Sequence, residues 1–158
     1  MLTDIHGNLV EVDCIACAIG NGSLELPGGI IAESLHFRLE QDLEVPIAGF
    51  LVLVAKRHIY SFDEMDLAEQ QDYINFLATV RAALRKVGVS SMYYVLEEDT
   101  SNSHFHLWIV PKHEWMAEFG RGIASIRPSM EFAKREMKTE ENLANVHALV
   151  DDVRRTLL

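Results

Sequence analysis

The chain holds only two cysteines, four prolines and two tryptophans, and each scarcity excludes something. Cys14 and Cys17 are too few and too close together for the disulfide framework of a small secreted domain. Four prolines and nine glycines in 158 residues exclude collagen-like and low-complexity classes. Long apolar runs are missing as well. The longest apolar stretch, Val45 to Ala55, falls far below the ~20 residues that a bilayer-spanning helix needs. Residues 1–10 carry no basic segment followed by an apolar one, so no signal peptide is predicted and the sequence reads as cytoplasmic. Basic residues are also short: 14 Lys and Arg against 24 Asp and Glu give a formal charge of −10. Long nucleic acids are held by phosphate neutralisation, so this balance argues against DNA or RNA as a partner. It leaves room for a mononucleotide, whose few phosphates backbone amides can meet. No Walker loop, Rossmann fingerprint or Gly-x-Ser-x-Gly elbow occurs.

What is present suits one domain spanning 1–158. At this size a chain buries roughly two thirds of its unfolded surface without staples. A turn-rich segment at 20–29 predicts a short strand at Leu24–Leu26, and His36, Phe37 and Arg38 fall in another. The run from Gly49 to Lys56, dense in β-branched and aromatic residues, predicts a central strand buried on both faces. From Asp66 to Lys86 apolar residues recur at helical spacing, with Gly88 as the stop. Strands follow at Ser91–Leu96 and His104–Val110, joined by a polar hairpin over 97–103. Helices are predicted at about Ser129–Met137 and Glu140–Leu157, the second capped by Thr139. Strands grouped with few intervening helices predict an α+β fold with a mainly antiparallel sheet.

Two clusters can carry chemistry. His104, His106 and Trp108 alternate along a strand, so all three share one face at roughly 7 Å intervals. Imidazoles in such a row can attack, move protons or bind metal. The same pair also fits two partly buried histidines bonded to backbone. Cys14 and Cys17 can supply half of a tetrahedral zinc site, with His58 and His104 available to complete it. Two buried free thiols are the other reading. The acidic runs at 63–72 and 97–99 read as helix-end and solvated residues.

Together these pieces resemble the histidine triad (HIT) family of nucleotide hydrolases and transferases. The resemblance covers about residues 14–115 and leaves a C-terminal helical extension, about 120–158, unexplained. Cys14-Ile15-Ala16-Cys17, the strand Gly49–Lys56 with Arg57-His58, a long helix, and His104-Phe105-His106-Leu107-Trp108 come in family order. The resemblance implies that His106 attacks an α-phosphate, giving a nucleotidyl-histidine that water resolves. The implied substrate is a purine nucleotide or dinucleotide: a dinucleoside polyphosphate such as diadenosine tetraphosphate, or a nucleoside phosphoramidate. It further implies a structural zinc on Cys14, Cys17, His58 and His104, a carbonyl of His104 that orients His106, and a homodimer. Asp42, sixteen residues before His58, matches a ribose-binding aspartate, and Ser101 matches a phosphate-contacting serine. Two positions depart from the pattern. Trp108 replaces the third histidine, and Phe50 replaces an upstream histidine, which places both at the substrate. These departures favour the rival reading of a nucleotide-binding regulatory module with little or no catalysis.

Overall fold

The structure, a computed structural model, describes residues 1–99 and 103–158. A two-residue pair, β1 (Leu2–Thr3) with β2 (Leu9–Val10), precedes a short helix α1 (Ile15–Gly20). Then come β3 (Ala32–Glu33), β4 (Phe37–Gln41), β5 (Leu51–Ala55), α2 (Leu67–Lys86), β6 (Met92–Leu96) and β7 (His106–Pro111). Helices α3 (Ile126–Glu136) and α4 (Glu140–Leu157) close the chain. Among the described residues, five strands form one antiparallel sheet in the order β3-β4-β5-β7-β6. The fold is α+β, as the grouping of strands predicts.

Each main element follows from its residues. β5 is Leu-Val-Leu-Val-Ala, buried at every position, as expected of a strand covered on both faces. α2 begins in a capping box: the Asp66 carboxylate accepts from Glu69 N at 2.8 Å while Glu69 accepts from Asp66 N at 2.9 Å. It ends at Val87, with Gly88 at φ +93°, a backbone state that glycine adopts without a Cβ clash. Its stripe Tyr73, Phe76, Val80 and Leu84 lies on the sheet together with Val150 and Val153 of α4. That layer covers the face presenting Phe37, Leu39, Leu51, Leu53, Phe105, Leu107 and Ile109. Complete burial of each phenylalanine stabilises by about 1.5–3 kcal/mol.

Strand alternation sends the intervening residues to the other face. In register, Val54 lies opposite both Arg38 and His106, and Val52 opposite both Glu40 and Trp108. One end of this second face is covered by Met116 and by Ile126, Met130 and Ala133 of α3, which pack on Phe50 and Val110 with Trp108 at their edge. The other end stays open beneath α1. Gly49 (φ +84°) turns the chain into β5 where α4 passes close by; an added Cβ would lie 2.9 Å from Leu149 Cδ2.

Three local expectations need correction. No strand forms at 24–26. The N–H groups of Ser23 and Leu24 both donate to the Ala18 carbonyl, at 2.9 and 3.1 Å, so they close the end of α1 and are lost to any ladder. β7 begins at His106, two residues later than the histidine row suggests. Before it, Phe105 N donates to Ile59 O at 2.7 Å and the Phe105 carbonyl accepts from Ala55 N at 3.2 Å, which keeps His104 on the His106 face. α3 starts at Ile126 with Pro128 in its first turn, where a missing N–H costs nothing. The polar connection over 97–103 lies partly outside the described residues. No helix among the described residues is long and apolar enough to cross a membrane.

Candidate active site and metal centre

Four side chains from three separate parts of the sequence converge where α1 meets the sheet. Cys14 caps α1 and Cys17 lies in its first turn, His58 follows β5, and His104 precedes β7. Their donor atoms all lie within 4.8 Å of one another. The four sulfur-to-nitrogen distances are 3.1, 3.5, 3.6 and 3.7 Å, all to Nδ1 of the histidines. A tetrahedral zinc with Zn–S near 2.3 Å and Zn–N near 2.0–2.1 Å requires such edges to be about 3.6 Å. His104 Nε2 donates to the Ala55 carbonyl at 2.7 Å. That bond fixes the tautomer and leaves Nδ1 with its lone pair facing the thiols. Burial pushes the His104 pKa down, despite the Ala55 carbonyl, which also keeps the ring neutral. Burial raises the Cys17 thiol, and the neighbouring Cys14 adds to it, the penalty a cation at this point would offset. The donor set, its spacing and its second shell suit a structural zinc ion.

The same residue reaches the second cluster through its backbone. The His104 carbonyl accepts from His106 Nδ1 at 2.8 Å. The proton therefore sits on Nδ1, and Nε2 of His106 carries a free lone pair. His106 lines a cavity of about 240 Å³ under α1, walled by Ile15 and Ile19, by Val52 and Val54, and by Trp108. Such a recess, mostly apolar with a few convergent polar groups, is the usual form of a small-molecule site.

Three carboxylates on and after β4 line the opposite wall: Glu40, Asp42 and Glu44. Glu40 is buried and bonded through Oε1 to Arg38 Nε at 2.7 Å, while Arg38 Nη2 donates to the Ala16 carbonyl at 2.8 Å and ties α1 down. Burial raises the Glu40 pKa against the pull of Arg38. Asp42 Oδ1 accepts the N–H groups of Glu44 and Val45, both at 2.9 Å. Burial still lifts its pKa above the usual range, with those two N–H bonds opposing. Glu44 meets Lys134 of α3 at 3.3 Å.

The structure thus brings His104, His106, Trp108 and Asp42 to one cavity, with Cys14 shared between cavity and metal cluster. Phe50 is fully buried, packed edge-on to Trp108 at 5.9 Å, and its carbonyl accepts from Asp42 N at 3.1 Å, so it supports two lining residues without lining the cavity itself. Ser101 lies outside the described residues. The sequence reading passes over Glu40 and Arg38. Their signal is the alternation of charges at 38, 40 and 42, along and just after β4, which marks one face as charged.

No protein-family model matches the chain. It is similar to an uncharacterized HIT-like protein from Methanocaldococcus jannaschii, 30% identical over 107 residues, 64% of this chain and 80% of that protein. Two solved structures share the fold at 16% identity and a TM-score of 0.58. One is a zinc-bound histidine triad family protein from Mycobacterium smegmatis, aligned over 87% of this chain and 93% of its own. The other is a hypothetical histidine triad nucleotide-binding protein from Sulfolobus tokodaii, aligned over 90% and 95%. The chain belongs to the HIT-like, or histidine triad, family.

Proposed function

We propose that this protein is a nucleotide hydrolase or transferase acting at an α-phosphate through a nucleotidyl-histidine intermediate. The observation that carries the reading is the 2.8 Å bond from His106 Nδ1 to the His104 carbonyl, which leaves Nε2 as a nucleophile in the recess under α1. Its candidate substrates are dinucleoside polyphosphates such as diadenosine tetraphosphate, and nucleoside phosphoramidates, with a purine base. His106 Nε2 forms a bond to phosphorus as the bond to the leaving group breaks. Water then attacks phosphorus, the P–N bond breaks, and its electron pair returns to Nε2. Splitting one displacement into two in this way lowers each barrier. Asp42 would hold the ribose hydroxyls, with Ser101 as a phosphate contact. Trp108 offers the transferred group one indole N–H and no acceptor, so it cannot act as the proton donor that a histidine would be.

Cys14, Cys17, His58 and His104 would hold a structural zinc, which the name of the M. smegmatis relative supports; the metal would fasten α1 over the cavity and take no part in the chemistry. The nucleotide reading is likewise supported by the name of the S. tokodaii relative. A homodimer in the cytoplasm completes the proposal. The test is turnover of diadenosine tetraphosphate and adenosine phosphoramidate by wild type and His106→Ala. The substitution should lower turnover by at least about 10³-fold and leave zinc content intact; equal turnover by both proteins would refute the reading. Trp108 at the place of the third histidine favours a second reading, a nucleotide-binding module without efficient catalysis. It predicts nucleotide binding with no turnover by wild type.

A further inference from the structure

We infer that Arg127, delivered by the C-terminal extension, selects ligands that carry further phosphates beyond the α-phosphate, and so favours polyphosphate over amine leaving groups. The inference rests on the nucleotide reading above and adds a leaving-group class to it.

The argument starts from the charges around the cavity. Glu40, Asp42 and Glu44 line the wall under α1. Their cationic neighbours are committed: Arg38 to Glu40 and the Ala16 carbonyl, and Lys134 to Glu44. That wall suits the hydroxyl and N–H donors of a nucleoside and offers phosphate no uncommitted cation. In register, Glu40 lies two strands away from Trp108, about 10 Å at ordinary strand spacing. A phosphorus atom in contact with His106 therefore has a carboxylate-lined side and a Trp108 side, and only the second leads to a cation that no carboxylate holds.

Arg127 meets Trp108. Its guanidinium lies over the Trp108 ring, with Cζ 5.9 Å from the centroid. The same ring lies 5.8 Å from the His106 imidazole. Arg127 is exposed in the first turn of α3. Among the described residues its guanidinium forms no ion pair or hydrogen bond and meets only the indole. A guanidinium held only at cation–π range of an indole keeps its N–H fork free to meet phosphate oxygens. A chain of two or three phosphates is long enough to run from His106 across Trp108 to this fork.

The placement also answers the loss of a general acid at position 108. A diphosphate or nucleotide leaving group departs as a stabilised anion and needs charge neutralisation more than a proton. An amine leaving group needs the proton, and a guanidinium locked in its protonated form cannot donate one. Trp108 and Arg127 together trade proton donation for anion binding.

The experiment is calorimetric titration of wild type, Arg127→Ala and Arg127→Lys with AMP, GMP and their α,β-methylene triphosphate analogues, which resist cleavage at the α-phosphate. Wild type should bind a triphosphate analogue about tenfold more tightly than its monophosphate, as expected for one charge-assisted contact. Arg127→Ala should abolish that advantage and leave monophosphate affinity within about twofold, while Arg127→Lys should keep part of it as a point charge. A triphosphate advantage that survives Arg127→Ala, or an equal loss for both ligands, overturns the inference and leaves the nucleotide site standing. If none of the four ligands binds wild type, the nucleotide reading itself fails and the inference falls with it.

Discussion

Removing the metal should loosen one wall of the cavity without unfolding the protein. α1 has six residues, of which only Ala18 and Ile19 are buried. A helix under about 12 residues is marginal in water without tertiary support. Its fastenings to the sheet include the bond from Arg38 to the Ala16 carbonyl and the cluster of Cys14, Cys17, His58 and His104. The core beneath α2 and α4 contributes no ligand to that cluster. Zinc present at about 100 times its dissociation constant would add about 2.7 kcal/mol to stability. For a domain of this length that corresponds to a melting temperature higher by roughly 5–11 °C. Chelator treatment should therefore lower the calorimetric midpoint by that amount. Hydrogen-exchange protection should fall at residues 15–20 while β5, β7 and α2 stay protected. A melting curve and α1 protection that ignore the chelator would refute the zinc assignment. Loss of protection throughout the sheet would refute the claim that the core stands without the metal.

Two further outcomes test the fold that holds the site. Gly49→Ala puts a Cβ at φ +84° and 2.9 Å from Leu149 Cδ2. It should cost about 1–3 kcal/mol in urea unfolding, and an unchanged midpoint would show that α4 does not press on this turn. Glu69 is held at a pKa of about 2, below its ordinary 4.5, chiefly by its hydrogen bonds from Arg57. A depressed carboxylate stabilises fully above the unfolded pKa and loses that contribution as pH falls from about 4.5 toward 2. Glu69→Gln in the chelated protein should therefore lower the urea midpoint strongly at pH 7 and progressively less toward pH 2.5. A gap that does not narrow would refute the role given to Arg57.

The legible parts of the sequence were those with a strong period. The all-apolar run of β5, the alternation of His104, His106 and Trp108, and the helical stripe of α2 each repeat a spacing that one geometry satisfies. α1 is illegible for a physical reason: six residues show no period, and the helix is held by Arg38 and the metal-site side chains rather than by a face of its own. Leu24–Leu26 reads as a strand because its residues suit one, yet the Ala18 carbonyl takes the N–H groups of Ser23 and Leu24. Of the site, Cys14, Cys17, His104 and His106 could be placed as candidates from the residues, and the full metal quartet and the role of His106 only through the family resemblance. Glu40 and Arg127 could not, since one depends on strand register and the other on the 3₁₀ turns at Glu114–Phe119 and Gly122–Ser125, which carry α3 back to Trp108.

The buried pair of Arg38 and Glu40 also guards the alignment of β4. A strand that slips by one residue exchanges its two faces. Here such a slip would drive a guanidinium and a carboxylate against Phe76, Val80 and Leu84, and would turn Phe37 and Leu39 toward the cavity. The two charges would move together, but Arg38 would lose the Ala16 carbonyl, and taking an ion pair into an apolar layer carries a desolvation cost of several kcal/mol. The pair therefore acts as a latch on one register, the register in which Asp42 arrives beside the cavity.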